Sequence, residues 1–214
     1  MGTEKIPSLM VRMAIPSVIA QVINILYNIV DRIYIGHISG VGAAALTGVG
    51  LTFPIITLIS AFSAFVGSGG APLASIWMGK NDKKHAEKIL GTGVFMLLCF
   101  SLILMAVFLI FQRPLLYAFG ASDATIGYAM EYLTIYLIGT VFVEIALGLN
   151  PFIIAQGRST TAMMSIVIGA VINIVLDPIF IFVFHMGVKG AAIATVISQA
   201  VSAAWNVKAL VDKK

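Results

Sequence analysis

Residues 90–111 read LGTGVFMLLCFSLILMAVFLIF, a stretch without a single charged side chain. About 20 apolar residues in a helix are enough to cross the hydrocarbon core of a bilayer. Five further apolar stretches of similar length occur, at residues 13–35, 44–66, 126–149, 162–184 and 188–210. Helices are expected because no period-two alternation is present and unpaired backbone in lipid is prohibitively costly. The sequence therefore predicts an all-α, polytopic membrane protein, a bundle of six transmembrane helices.

The composition excludes an ordinary soluble domain. Hydrophobic residues make up 60% of the 214 residues and charged residues only 10%, whereas soluble domains contain about 45–50% apolar and about 25% charged residues. The net charge of +4 does not indicate a nucleic-acid partner, because the basic residues fall in short gaps between the apolar stretches, as in membrane loops. The single Cys99 excludes a disulfide framework. We therefore expect the lipid bilayer, and no nucleic acid, as a partner.

The distribution of lysine and arginine predicts the orientation. An excess of basic residues marks the cytoplasmic side of a membrane protein. With the N-terminus inside, ten of the 13 basic residues are cytoplasmic, namely Lys5, Arg12, Lys80, Lys83, Lys84, Lys88, Arg158, Lys208, Lys213 and Lys214. Arg32, Arg113 and Lys189 remain outside. We expect a multi-pass protein of the cell (inner) membrane with both termini cytoplasmic, in which residues 1–12 form a lead-in without a cleaved signal and residues 13–210 form the six-helix region.

Polar side chains inside the predicted spans share helix faces. Spacings of three and four residues place side chains on one face of a helix. The first span carries such a face at Gln21, Asn24, Tyr27, Asn28 and Asp31. The fifth span pairs Asn173 with Asp177, and the sixth carries Thr195, Ser198, Gln199 and Ser202. These faces are expected to meet in the protein interior. For Ser198, Gln199 and Ser202 we favour the simpler role of hydrogen bonding between helices.

Depth along the helices predicts a cation or proton site. At about 1.5 Å per residue, Asp31, Asp177, Thr195 and Tyr132 reach a common layer in the outer half of the membrane, with Asn173 one turn deeper. Pro178 has no N–H and so removes a bond to a backbone carbonyl beside this layer. Oxygen ligands of this kind suit a hard cation. We expect a site that exchanges a proton for a cation, with Asp31, Asp177 and Asn173 as candidate Na⁺ ligands.

Other interpretations of these residues remain open. Intramembrane carboxylates are candidate functional residues by default, yet Asp31 is also compatible with a rim residue paired with Arg32. Asp177 is also compatible with a buried, hydrogen-bonded carboxylate that serves packing. Glu131 is expected at the interface, and Glu144 has no assigned role.

Pro16 is the candidate hinge of the first helix. Proline in a helix interior bends the helix or leaves it bendable, so a hinge below Asp31 would let protonation change the helix shape. A static kink explains the same residue equally well. The three histidines, His37, His85 and His185, lie at loop positions on both sides of the membrane. They form neither a metal cluster nor a base paired with a nucleophile, so no enzymatic function is expected.

Several motifs together resemble a known transporter family. They are ILYNIVD at residues 25–31, followed by RIYIGH, then GKNDKKHAEKILGTG, AQGRSTTAM, INIVLDPIFIF and GVKGAAIATVISQ. In order and spacing they are similar to the multidrug and toxic compound extrusion (MATE) family, in its DinF-like prokaryotic branch. The resemblance covers nearly the whole chain, and YNIVD with INIVLDP is its strongest pair.

The resemblance implies a function and a site. MATE transporters have twelve helices in two six-helix lobes and export cationic, amphipathic compounds in exchange for Na⁺ or H⁺, without a cofactor. Carried over by motif, Asp31 and Asp177 would be the coupling carboxylates, with Asn173, Thr195 and Tyr132 around them and Pro16 at the bend. Asn150 also matches a polar position of the family, although it lies about 27 Å from Tyr132 along a straight helix.

The length predicts one lobe. We expect only the N-terminal six-helix lobe, with residues 211–214 as the start of an inter-lobe linker. The partner would then be a second lobe, either a missing C-terminal half or the mate in a homodimer. Two alternatives to organic-cation antiport stay open: a flippase-like exporter of lipid-linked saccharides, which would favour basic cavity residues, and a non-transporting fragment that needs a partner lobe.

Overall fold

The computed structural model describes residues 6–212, with side chains from residue 10 onward. Residues 1–5, 213 and 214, which belong to the predicted lead-in and linker, lie outside the described residues. Within residues 6–212 the chain is helical and has no strand. The helices are α1 (Ile6–Gly36), α2 (Gly42–Leu51), α3 (Phe53–Gly79), α4 (Lys83–Ala118), α5 (Ile126–Ile138), α6 (Thr140–Ala155), α7 (Ser159–Pro178) and α8 (Val188–Val211). A π-helical turn, Ile179–Val183, extends α7.

Six membrane spans account for these helices. Five continuous stretches are long and apolar enough to cross a bilayer: Met10–Gly36, Gly42–Gly79, Lys83–Ala118, Ser159–Val183 and Val188–Val211. The sixth is the pair α5 and α6, which bends by 61° at its break. The prediction of an all-α, six-helix membrane bundle is confirmed.

Several helices extend beyond the predicted spans. The first helix begins at Ile6 rather than residue 13, so the predicted lead-in is helical from residue 6. The second span is divided at Thr52, because Pro54 cannot donate a backbone hydrogen bond and starts a new helix, and it continues to Gly79. The fourth helix covers Lys83–Ala118 rather than residues 90–111. Its start is fixed by Asp82, whose carboxylate accepts a hydrogen bond from the His85 backbone N–H at 3.1 Å.

The bend between α5 and α6 was not predicted. Residues 126–149 were expected to form one straight helix, but α5 ends at Ile138 and α6 begins at Thr140. Gly139 separates them and packs closely on α8, where a Cβ on the glycine would collide with the side chain of Val196. The bend therefore depends on a contact with a distant helix, which local sequence does not show.

Packing places α5, α6 and α8 in the interior and α1 at the periphery. The α8 helix contacts α5, α6 and α7, and α6 also packs against α3 and α4. The α1 helix contacts mainly α7. Its lipid-side face carries exposed apolar side chains, which include Val18, Val22, Ile25, Leu26 and Ile29. Its other face turns polar groups toward α7, so the site described next lies between α1, α7, α8 and α5.

Candidate functional site

Asn173 connects two elements of the predicted site. Its side-chain N–H donates to Asp177 Oδ1 at 3.2 Å, one turn along α7, and to Thr195 Oγ1 on α8 at 3.4 Å. Asn173 and Asp177 are fully buried, and Thr195 is 7% exposed. The spacing of four residues that the sequence indicated therefore positions an amide and a carboxylate on the face of α7 that meets α8.

Asp31 approaches this group from α1. Its carboxyl group lies side by side with that of Asp177, close enough for a side-chain hydrogen bond when one of the two carries a proton. Asp31 is 8% exposed. It is thus buried against α7, unlike the solvated rim residue that was an alternative. The neighbouring Arg32 holds its guanidinium over the Phe53 ring, with Cζ 5.4 Å from the ring centroid.

Three oxygen atoms of this group have no hydrogen-bond partner. Asp31 Oδ1, Asn173 Oδ1 and Asp177 Oδ2 are all buried without a partner among the described residues. Buried polar atoms are normally satisfied, because leaving one unpaired costs about 1–3 kcal/mol. Two carboxylates and an amide oxygen are also ligands that a hard cation prefers. The residues present therefore fit a bound monovalent cation or a proton, which would satisfy these atoms.

Tyr132 and Tyr136 add an aromatic wall. Tyr132 on α5 lies beside Thr195 and in the electrostatic field of Asp31. Its ring stacks with that of Tyr136 at a centroid distance of 6.3 Å and an interplanar angle of 16°. Tyr132 was predicted as a site residue from the sequence and Tyr136 was not, although a spacing of four residues places both on one helix face. Tyr27 of α1 completes the cluster near both aspartates.

A cavity of about 630 Å³ borders the carboxylate pair. Asp31, Thr195 and Tyr132 line it, whereas Asp177 and Asn173 lie behind them. The polar face predicted for the first helix also lines it, through Gln21, Asn24, Tyr27 and Asn28. The cavity therefore brings together the polar stripes of α1 and α8, with Asp31 between the open space and the buried Asp177.

The serines of α8 bond to neighbouring backbone. Ser198 Oγ donates to the Thr195 carbonyl at 2.7 Å, and Ser202 Oγ donates to the Ser165 carbonyl of α7 at 2.9 Å. Ser202 therefore joins two helices, as a side chain that serves packing would. Ser198, Gln199 and Ser202 all line the cavity as well.

Asn150 takes part in a separate contact. Its side-chain N–H donates to the Ala162 carbonyl at 3.0 Å and to Ser165 Oγ at 3.4 Å. These partners tie α6 to the inner part of α7. Asn150 lines the large cavity and also a smaller one of about 390 Å³, but its hydrogen bonds do not reach the carboxylate pair.

The two prolines predicted to matter for the site differ in their local effects. Pro16 lies inside α1, which is continuous from Ile6 to Gly36. Pro178 is the last residue of α7, and the chain continues as a π-helical turn in which the Phe184 N–H donates to the Ile179 carbonyl at 2.9 Å. Such turns are rare and frequently occur at functional sites. This one directly follows Asp177.

The remaining predicted ionisable residues lie apart from this cluster. Glu131 forms an ion pair with Lys189 at 3.5 Å, with both side chains substantially exposed. Glu144 is fully buried and does not line the cavity, although the adjacent Val143 does. Among residues 6–212 no group of three His, Cys, Asp or Glu side chains is arranged to hold a metal ion.

The turn between α3 and α4 contains a compact polar cluster. The His85 ring lies 2.6 Å from Asp82 Oδ2, measured from Nδ1, and stacks on Trp77 at a centroid distance of 4.6 Å. The backbone hydrogen bond from His85, together with its ring and the charge of Lys88, holds the pKa of Asp82 below its usual value. This lowered pKa favours the charged form that caps α4.

Comparisons with known proteins agree with this architecture. The MatE family model matches residues 16–179. The multidrug export protein MepA of Staphylococcus haemolyticus (strain JCSC1435) is 30% identical over 193 residues, which cover 90% of this chain and 42% of that protein. Crystal structures of MATE in the bent and in the straight conformation each superpose with a TM-score of 0.87 at 31% identity, over 95% of this chain and 45% of theirs. The chain spans less than half the length of the relatives that it matches.

Proposed function

The chain belongs to the MatE family, and from this premise we propose that it acts in secondary active multidrug efflux, exporting cationic amphipathic compounds in exchange for Na⁺ or H⁺. The homologous MepA is a multidrug export protein, and the fold is a multi-pass membrane bundle. The family consists of transporters rather than enzymes, so no catalytic site is assigned.

One observation carries the proposal for coupling. Three buried oxygens of Asp31, Asn173 and Asp177 lack hydrogen-bond partners, and two of them belong to adjacent carboxyl groups. Two carboxylates cannot both remain charged and unpaired in an apolar interior, because the cost of burying such charges is several kcal/mol each. The site must therefore bind a proton or a cation. Because one can replace the other, the occupancy of the site depends on the ion gradient across the membrane.

The position of Asp31 links the ion to the substrate. Asp31 lines the cavity of about 630 Å³, while Asp177 and Asn173 lie behind it. An organic cation in the cavity would be attracted to an ionised Asp31, and its aromatic groups would stack on Tyr132 and Tyr136. Arrival of a proton or Na⁺ neutralises Asp31 and weakens that attraction. Antiport follows if both ligands compete for the same carboxylate.

Pro16 provides the conformational element of the proposal. Relatives with the same fold exist in bent and straight conformations, and Pro16 cannot donate to the carbonyl four residues earlier. The α1 helix therefore bends more easily below the polar face that ends at Asp31. We assign Pro16 the role of a hinge through which the occupancy of the site changes the shape of the cavity.

Orientation and assembly belong to the same proposal. The excess of basic residues at one end supports an orientation with both termini in the cytoplasm of a cell (inner) membrane. We propose that residues 13–210 form the six-helix lobe and residues 211–214 the start of a linker, with residues 1–12 as a lead-in whose part from residue 6 onward continues into α1. The partner is a second lobe, which closes the drug cavity and permits alternating access by rocking of one lobe against the other.

Efflux driven by imposed gradients tests the proposal. Vesicles that contain the protein together with its second lobe are loaded with ethidium, and either a sodium or a proton gradient is imposed. We expect one gradient to drive export and Asp31→Asn to abolish it. Glu131→Gln, which neutralises an exposed carboxylate outside the cluster, should transport like the wild type. Gradient-driven export that is unchanged in Asp31→Asn would refute the assignment.

A further inference from the structure

Glu144 is a buried carboxyl group that the efflux site does not use. It lies on α6, and its side chain is fully buried. Both carboxyl oxygens lack a hydrogen-bond partner among the described residues. Glu144 does not line the large cavity, although its neighbours Val143 and Ala146 do. The carboxyl group therefore points away from the cavity.

Ser63 of α3 is the polar group that faces Glu144. The serine is fully buried and its Oγ forms no hydrogen bond in the structure, but it lies close enough to the Glu144 carboxyl to interact with it. A serine hydroxyl offers one proton and two lone pairs. It can accept a hydrogen bond from a protonated carboxyl, but it cannot neutralise a carboxylate.

No cation near Glu144 compensates a negative charge. The α3 helix carries no ionisable side chain within Phe53–Gly79. The titratable group that shares the field of Glu144 is Tyr136 on α5. Among the other helices that pack on α6, α7 carries Asp177 and α8 carries Lys189 and Lys208 near its ends. The α4 helix carries Cys99 in its middle and further titratable side chains near its ends, namely Lys83, Lys84, His85, Glu87, Lys88, Arg113 and Tyr117. None of these acts on Glu144 as a charged partner.

Close packing leaves no space for water one turn from this position. One turn along each helix, Gly67 of α3 meets α6 so closely that a Cβ would lie 2.8 Å from Pro151 Cγ and 3.0 Å from the Gly148 carbonyl oxygen. Gly148 in turn contacts Leu97 of α4 without room for a Cβ. A buried water needs space and two to four polar partners. The packing at Gly67 and Gly148 leaves no such space one turn from Ser63 and Glu144.

From this geometry we infer that Glu144 is a second proton-binding site, in which a protonated carboxyl donates its hydrogen bond to Ser63 Oγ across the α3–α6 interface. An uncompensated buried carboxylate would cost several kcal/mol, whereas a proton neutralises it and pairs one oxygen with the serine. Release of this proton requires water at Glu144. The proton is therefore retained as long as α3 and α6 stay in contact at Gly67 and Gly148. The inference does not depend on the proposed efflux function.

Infrared spectroscopy of the full chain in lipid tests the inference. A protonated carboxyl has a carbonyl stretch well separated from that of a carboxylate, and isotope labelling of glutamate carboxyl groups distinguishes Glu144 from the aspartates of the efflux site. We expect a label-sensitive band at neutral pH that is lost in Glu144→Gln and retained in the Asp31→Asn, Asp177→Asn double variant. Glu131→Gln, at an exposed glutamate, should also retain it.

Ser63→Ala provides a second, independent readout. This substitution removes the hydrogen-bond acceptor but leaves the carboxyl group in place, so the band should move to higher frequency and keep its intensity. Ser63→Ala also tests the inference if the Glu144→Gln variant fails to fold. Absence of a label-sensitive band at neutral pH, or a band that Ser63→Ala leaves unshifted, would overturn the inference.

Discussion

Asp31 and Asp177 come from opposite ends of the chain, and their carboxyl groups lie side by side between α1 and α7. Asp177 is fully buried, whereas Asp31 is slightly exposed and lines the cavity. The pair therefore has an inner and an outer member. In the proposed function an ion that enters from the cavity would reach Asp31 first, and Asn173 holds Asp177 in place behind it through a hydrogen bond of 3.2 Å.

The first prediction concerns sodium binding by the carboxylate pair. If Na⁺ and H⁺ compete for one site, sodium binding should weaken as the pH falls, because protons then occupy the carboxyl groups. Asp177→Asn removes one negative charge and should reduce sodium affinity at least tenfold, which corresponds to about 1.4 kcal/mol. Isothermal titration of the purified protein at several pH values measures both effects. Identical sodium binding by the wild type and Asp177→Asn would contradict the assignment of a sodium site to this carboxylate pair.

The second prediction concerns Asn173, which joins Asp177 to Thr195. Asn173→Leu keeps the approximate volume but removes both hydrogen bonds and leaves Asp177 Oδ1 without its donor. We expect a loss of about 1–3 kcal/mol in stability when no ion is bound, together with weaker sodium binding. Thermal unfolding in detergent with and without sodium measures both. Asn206→Leu is the matched control, because Asn206 is also buried, donates to the Ala146 carbonyl at 2.8 Å and does not line the cavity. This variant should lose stability but keep its sodium binding. Equal loss of sodium binding in the two variants would contradict the prediction.

The sequence predicted the polar faces of the helices but not the contacts between helices that bring these faces together. Helical spacing alone placed Asn24, Asn28 and Asp31 on one face, and Asn173 with Asp177 on another, because helix periodicity is a local property. Positions along the helices also predicted that Tyr132 and Thr195 lie in the same membrane layer as Asp31 and Asp177. The bend at Gly139 was not predictable, because it depends on packing against Val196 of α8.

The surroundings of Glu144 were likewise not predictable from the sequence. Its burial follows from the contact of α6 with Ser63 on α3, and these positions are far apart in the chain. A carboxylate inside an apolar stretch was a visible signal, but its surroundings were not. Tyr136, by contrast, lies one turn from Tyr132 on the same helix face, so its place in the site could have been predicted from the spacing alone.

The third prediction uses the lowered pKa of Asp82. Hydrogen bonds from the His85 backbone and ring, together with the charge of Lys88, lower this pKa in the folded state, so the charged form of Asp82 favours the folded start of α4. This contribution is present above the ordinary aspartate pKa of about 3.9 and is lost as the pH falls through the lowered value. We expect amide exchange at His85 to accelerate below about pH 4 relative to the helix centre. Asp82→Ala should show the faster exchange already at neutral pH. Protection of the His85 amide that is equal in wild type and Asp82→Ala at neutral pH would contradict the capping role.

The fourth prediction separates two neighbouring glycines of α3. A Cβ at Gly67 would lie 2.8 Å from Pro151 Cγ and 3.0 Å from the Gly148 carbonyl oxygen, whereas a Cβ at Gly69 would have no described atom within 4 Å beyond its own helix. Gly67→Ala should therefore destabilise the bundle by about 1–3 kcal/mol through overpacking. Gly69→Ala should stabilise it by up to about 1 kcal/mol, because alanine has the higher helix propensity. Unfolding of both variants in the same detergent measures the difference. Because both substitutions add one methyl group to the same helix, a shift of equal sign in the two would show that α3 and α6 are not in close contact at Gly67.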